Sequence, residues 1–359
     1  TMFSNLEIYL NGQLVSDSGN QYAQVAYLQR LLASSPSEKQ GRLLNEFYYP
    51  NATPEAYTAA DAGFATRFNK TKNSQPFTLL GSLVANIFNQ NRYLPSNTEI
   101  RIVLRRNLPE LCLTANYDEK SGYNGCPYNY QITNAVYYAS KRVISKPIID
   151  AHRHQLSLGH TFKYPTSEVE LKTFTIAQGL TSITTDSVVI GKIPRVLVLG
   201  IIPSISFLGK LSKSPFNYVD KNLSELAFTW NGETVEHRLF PFNFRKARTA
   251  TKDGKKVTVY SGVDDFLLAV RSLEKTAGNP ALGNGINRDN FTAGNVLTAV
   301  ELLPNSGNAL SVNRRGQIKV QLKFREPLDE PYEHSLIDHG SAIASVHSEI
   351  PNPIFCSGC

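Results

Sequence analysis

Apolar and polar residues alternate through "LEIYL" (6–10), then Asn11-Gly12 interrupts and "QLV" (13–15) returns. Asn-Gly supplies the two positive φ angles of a two-residue turn, so residues 4–15 predict a β-hairpin. The pattern recurs at "LAFTWNGETV" (226–235). Strict alternation also marks "TEIRIVLRR" (98–106), "EVELKTFTIAQG" (168–179) and "GQIKVQLKFREPL" (316–328) as half-buried strands. Tyr- and Val-rich "YNYQITNAVYYASKRVI" (128–144) reads as a strong strand, and "VLTAVELLP" (296–304) as another. "FTLLGSLVANIF" (77–88) reads as buried strand, as does "SVVIGKIPRVLVLGII" (187–202). "VLVLGIIPSISFLG" (196–209) reads as a strand pair with a turn, too short and too Pro-broken to span a bilayer. Helical spacing marks "AQVAYLQRLLAS" (23–34) and "GVDDFLLAVRSL" (262–273), and a Pro-led short helix opens at residue 145. Residues 36–76 and 243–295 are long excursions.

The two hairpins share five residues at an offset of 220: Ser4 with Ser224, Leu6 with Leu226, Asn11 with Asn231, Gly12 with Gly232, Val15 with Val235. Ile100 and Ile318, and Leu104 and Leu322, match at 218. Both halves therefore run hairpin, helix-bearing excursion, strand, alternating strand. A repeat of this length is a domain. Many strands with little helix argue for β-sandwiches, and eight-stranded sandwiches of two Greek keys are jelly rolls. The expected fold is all-β: two tandem jelly-roll sandwiches with short helices in the long loops. The divisions fall at residues 1–160, 161–330 and an irregular tail, 331–359. Strand-rich residues 168–223 precede the second hairpin, but only residues 1–3 precede the first, so the first sandwich is expected to lack its N-terminal strands.

Composition narrows the class. Of 359 residues, 41% are hydrophobic and 19% charged, which is globular rather than disordered. The net charge of +7 leaves non-specific contact with nucleic acid open, but no basic arm is visible. Four cysteines, Cys112, Cys126, Cys356 and Cys359, are too sparse for a disulfide scaffold. The closing "CSGC" is a weak metal or redox spacing. N-x-S/T triplets at Asn51, Asn69, Asn222 and Asn290 are about as many as chance supplies and do not imply secretion. No signal peptide or membrane span is read.

Catalytic motifs are few. No G-x-S-x-G, H-E-x-x-H or Walker loop occurs, and "GNGINR" (283–288) reads as a plain turn. The sharpest cluster is His152, His154 and His160 in "HRHQLSLGH". A cupin-type metal pair would need a strand and a nearby acid; here the surroundings read as helix, so solvated histidines are expected. Asp264 and Asp265 are adjacent and face apart on a helix. Arg101, Arg105 and Arg106 put charge on one alternating strand, at a sheet edge or an interface. Tyr137, Tyr138 and Trp230 are the aromatics that a carbohydrate-binding module would use. No catalytic, cofactor-binding or metal residue is assigned, and no cofactor is expected.

Five stretches carry a resemblance: "MFSNLEIYLNGQLVS", "FKYPTSEVELKTFTIAQG", "IGKIPRVLVLGII", "SPFNYVDKNLSELAFTWNGETV" and "GQIKVQLKFREPL". Together they resemble the hexon-type major capsid proteins of Maverick/Polinton elements and adintovirus-like DNA viruses, over residues 2–328. The resemblance implies a non-enzymatic double-jelly-roll subunit. Such a subunit trimerises into pseudo-hexameric capsomers of an icosahedral virion or virus-like transposable element, assembled inside the host cell. Its partners would be itself, neighbouring capsomers, a penton-type minor capsid protein and packaged DNA through non-specific contact. Two departures stand against the pattern, the missing opening strands and the polar, Pro-bearing stretch after residue 328; an endogenised, decaying copy would explain both. The alternatives are a lectin-like jelly-roll module and a cupin-like metalloenzyme.

Overall fold

The computed structural model describes residues 2–52, 54, 60–88, 92–95, 98–115, 127–160, 162, 164, 168–236, 248–252, 255–259, 263–274, 281–291, 293–302 and 315–340. Mostly β-sheet with short helices, it runs β1 (Phe3–Leu10), β2 (Gln13–Asp17), α1 (Tyr22–Ala33), α2 (Pro36–Gln40), α3 (Ala62–Thr71), β3 (Ile100–Arg106), α4 (Pro109–Cys112) and α5 (Lys146–Ser157). Then come β4 (Glu168–Ile176), β5 (Ser182–Lys192), β6 (Val196–Pro203), α6 (Ser204–Leu208), β7 (Leu223–Trp230), β8 (Glu233–Glu236), β9 (Arg248–Lys252) and β10 (Lys255–Val259). The last elements are α7 (Val263–Glu274), α8 (Arg288–Phe291), β11 (Leu297–Glu301), β12 (Arg315–Phe324) and β13 (Tyr332–Gly340).

Eight strands of the second half form two four-stranded antiparallel sheets, β11-β6-β13-β4 and β5-β12-β7-β8. From β4 to β7 each strand enters the sheet opposite to its predecessor, so strands distant in sequence become neighbours. This is jelly-roll order. Alternation sets the facing: Ile318, Val320, Leu322 and Phe324 of β12 are buried, while Lys319 and Lys323 reach ion pairs at the surface. β6 lies between β11 and β13 and is buried along its whole length, so its sequence is a continuous apolar run rather than an alternating one.

The first half contributes a three-stranded sheet, β2-β1-β3. Its core is smaller: Leu6 and Ile8 pack with Tyr22, Ala85, Ile87 and Tyr164. α1 serves both halves. Its Tyr22 hydroxyl accepts from the Val84 N–H at 3.0 Å, whereas Val25, Leu28, Leu31 and Leu32 join the core of the second half. Tyr27 stacks on Phe216 with ring centroids 4.1 Å apart, and the half-buried Lys39 ammonium donates to the carbonyls of Leu31 and Asn284. The first excursion is thus docked onto the second half of its own chain.

Four readings change. Residues 128–144 form no strand; they are irregular and largely exposed, Tyr138 by 80%. Their β propensity is real, but among the described residues no strand pairs with them, and propensity without a partner does not fix a strand. Residues 77–88 are irregular, ending in a single 3-10 turn at Asn86–Phe88. Beyond Pro203, the last residue of β6, the chain makes α6 rather than a second strand; Pro203 still pairs with Tyr332, and its fixed φ suits the residue that leads into a helix. Conversely, residues 332–340, expected to be irregular tail, form β13 between β4 and β6. Their alternation was hidden because a buried histidine and a buried serine, His334 and Ser335, stand where apolar residues are usual.

Candidate functional site

The feature that organises the molecule is the repeated hairpin. Asn11 and Gly12 have φ of 49° and 80°, and Asn231 and Gly232 have 48° and 89°, all in the left-handed region that Asn and Gly tolerate. Each Asn also clasps the neighbouring strand. Asn11 donates its N–H to the Glu99 carbonyl at 3.0 Å, and its side-chain oxygen accepts from the Glu99 N–H at 2.9 Å. Asn231 does the same with Gln317, at 3.0 and 2.9 Å. At the far end, Ser4 donates to the Arg105 carbonyl and Ser224 to the Lys323 carbonyl, while Asn107 donates to Met2 as Arg325 does to Asn222.

Register follows. Leu6, Ile8 and Leu10 of β1 lie opposite Leu104, Ile102 and Ile100 of β3; Leu226, Phe228 and Trp230 of β7 lie opposite Leu322, Val320 and Ile318 of β12. The irregularity between Ile8 and Tyr9 recurs between Phe228 and Thr229. The sheet order β2-β1-β3 is the order β8-β7-β12. Replacing either Asn with Ala removes the clasp and leaves at positive φ a residue without the side-chain hydrogen bond that favours Asn there. Each of N11A and N231A is expected to cost about 1–2 kcal/mol in urea denaturation, while the Asp variants retain most of it. Unequal costs, one near zero, would mean that the two turns are not mechanically equivalent.

The basic strand is largely satisfied from within. Arg105 reaches Glu7 through Nε and Nη2 at 3.0 and 2.8 Å, and the Tyr9 hydroxyl with Arg105 holds the Glu7 carboxyl below its ordinary range. Arg106 donates to the Tyr130 carbonyl, and Arg101 lies over the Tyr9 ring at 4.2 Å.

The other candidates stay apart. His152 and His154 lie exposed on α5, and His152 meets Phe162 edge-on; a helix does not present the alternating face that a cupin pair requires. Among the described residues no group of three His, Cys, Asp or Glu side chains could hold a metal ion. Burial pushes the Cys112 thiol up, away from reactivity. Cys126, the closing CSGC and most of residues 118–127 lie outside the described residues. Tyr137 rests near Phe88 in the first half, whereas Trp230 packs on the core of the second. The residue that sequence reading missed is His334. It is buried on β13, stacked on Phe174 and hydrogen-bonded by Nε2 to Thr185 Oγ1 at 2.9 Å across the sandwich. No helix among the described residues is long and apolar enough to cross a membrane.

No protein-family model matches the chain. Among curated proteins it is similar to the uncharacterized protein F54H12.2 of Caenorhabditis elegans, 20% identical over 333 residues, which covers 91% of this chain and 73% of that protein. Among solved structures it is similar to the quasi-atomic model of the PBCV-1 virus capsid, at 8% identity and a TM-score of 0.37, covering 94% of this chain and 80% of that one. PBCV-1 VP54, fitted into a reconstruction of the virophage Sputnik, matches over the same shares at 8% identity and a TM-score of 0.33.

Proposed function

We propose that this chain is a structural subunit of a protein shell, a tandem jelly-roll capsid protein that works by associating with copies of itself. The observation that carries the reading is the repeat of the β1–β2–β3 unit in β7–β8–β12, with the same turn, clasp, register and strand order. The second copy supplies three of the eight strands of a two-sheet sandwich, and the matching first copy supports a second sandwich of the same design. Two similar sandwiches per chain and three chains per capsomer would give a nearly six-fold tile that packs hexagonally. The sequence stretches resembling hexon-type capsid proteins of Maverick/Polinton elements support the same assignment. The exposed 128–144 segment and the second excursion, 243–295, would then meet neighbouring chains. Assembly stability in such a protein depends on concentration.

Light scattering on the purified full chain tests this. A particle of three times the 39.8 kDa monomer, or a larger shell fragment, is the expected result. A monodisperse monomer at high protein concentration overturns it.

A further inference from the structure

The net charge of +7 shows no long run of one sign, yet it is not evenly spread. Between Glu236 and Asp264 the sequence holds seven Lys or Arg against one Asp, a net charge of +6, which leaves +1 for the rest of the chain. Ten of those residues form β9 and β10, which pair with each other and, among the described residues, with no other strand. Arg248, Lys252, Lys255 and Lys256 stand on this ribbon with Thr249, Thr251 and Thr258, and none of its ten positions is Asp or Glu.

Register gathers the charge further. Lys252 lies directly opposite Lys255, and Lys256 opposite Thr251. Like charges facing across an antiparallel pair are destabilising. In the second sandwich the neighbouring strand supplies an answering acid: Lys319 of β12 holds Asp186 of β5 at 2.8 Å, and Lys323 holds Glu225 of β7 at 2.6 Å. Neither strand of the ribbon can answer the other in this way.

We propose that the β9–β10 ribbon binds the phosphate backbone of double-stranded nucleic acid. Lys and Arg neutralise phosphates and release condensed counterions, and Thr hydroxyls donate to phosphate oxygens, so this composition is that of backbone contact. A two-stranded antiparallel ribbon has a width that the major groove admits. The ribbon has no aromatic residue on which an unpaired base could stack, which disfavours a single strand. It has no Leu, Ile, Phe or Trp to bury in a lipid interface, which disfavours a membrane. This assignment does not rest on the shell reading: it follows from charge and register, and holds for a monomer as for an assembly.

The test is titration of the full chain with a short mixed-sequence DNA duplex, read by fluorescence anisotropy over a salt series. Saturable binding is expected, weakening with salt at a log–log slope of about −3 to −4, the value for four neutralised phosphates. A protein carrying Lys252→Gln, Lys255→Gln and Lys256→Gln should bind at least tenfold more weakly, and its slope should be shallower by about 1 for each lysine removed. Lys141→Gln with Arg142→Gln, which removes two charges from the exposed 128–144 segment, should leave binding within twofold. Acetylation of the unaltered protein reads location without any substitution: Lys252, Lys255 and Lys256 should react more slowly once the duplex is bound. Absence of saturable binding at low salt, an equal loss in the Lys141 and Arg142 variant, or unchanged acetylation of the three lysines overturns the assignment. Chondroitin sulfate or anionic phospholipid vesicles binding as tightly as the duplex, with the same dependence on those lysines, overturns it as well.

Discussion

Acidification from pH 7 to pH 4 is expected to remove about 3 kcal/mol of stability through one side chain, His334. Its ring is wholly buried between the two sheets of the second sandwich, with Phe174 stacked on it and Ile201 beside it on β6. The nearest polar partner is the neutral Thr185 hydroxyl, and among the described residues Nδ1 has no hydrogen-bond partner. Among the described residues nothing compensates a positive charge there, and burial pushes the group down to about 4. In the unfolded chain the same imidazole protonates near its ordinary 6.5. The unfolded state thus takes up a proton that the folded state refuses. Stability is unaffected by this group above about pH 6.5, falls as pH drops from there toward 4, and carries the whole penalty below. Urea denaturation of the wild type and His334→Gln at half-unit pH steps isolates the effect, because carboxylates common to both proteins cancel in the difference. Wild type should lose about 3 kcal/mol more than the variant over that window. Parallel curves would show that His334 is already solvated or charged in the folded state.

The residues that made the hairpins legible are those whose chemistry is local. Asn11-Gly12 and Asn231-Gly232 dictate their own turn, and alternation in 98–106 and 316–328 dictates a two-faced strand. The helices α1 and α7 were legible from apolar spacing for the same reason. What was hidden depends on partners far along the chain. Whether 128–144 becomes a strand is decided by an edge that it does not meet, and whether 332–340 does is decided by β4 and β6, more than a hundred residues earlier. His334 could have been suspected only by noticing that its strand must lie in the middle of a sheet, where each inward position is dry. That β3 is laddered on one side only among the described residues is likewise invisible to pattern, since "IRIVLRR" and "IKVQLKF" read alike. Only the comparison of their flanks separates them.

Adding a single methyl group at Gly200 is expected to be among the most damaging changes in the second sandwich. Gly200 sits mid-strand in β6, between Leu297 of β11 and Ser335 of β13. A β-carbon there would lie 2.5 Å from Tyr218 Cδ1 and 2.7 Å from Leu297 Cδ2. The Tyr218 ring cannot easily give way. It is fully buried, and its backbone is pinned by an N–H bond to the Gly294 carbonyl and by acceptance from the Val296 N–H. Overpacking of this kind costs about 1–3 kcal/mol, more than the fraction of a kcal/mol that alanine gains over glycine in chain entropy. Gly200→Ala should therefore lower the melting temperature by several degrees, and Gly200→Val by more. Loss of contact elsewhere would give the same sign, so the pair is tested as a cycle. Tyr218→Leu removes the ring, and in that background Gly200→Ala should be close to neutral. The glycine is then the counterpart of the tyrosine: it makes room for the segment at 216–219 to cross one face of the sheet and seal it. A Gly200→Ala protein as stable as wild type, or equally destabilised with and without Tyr218, would mean that the ring does not sit over β6.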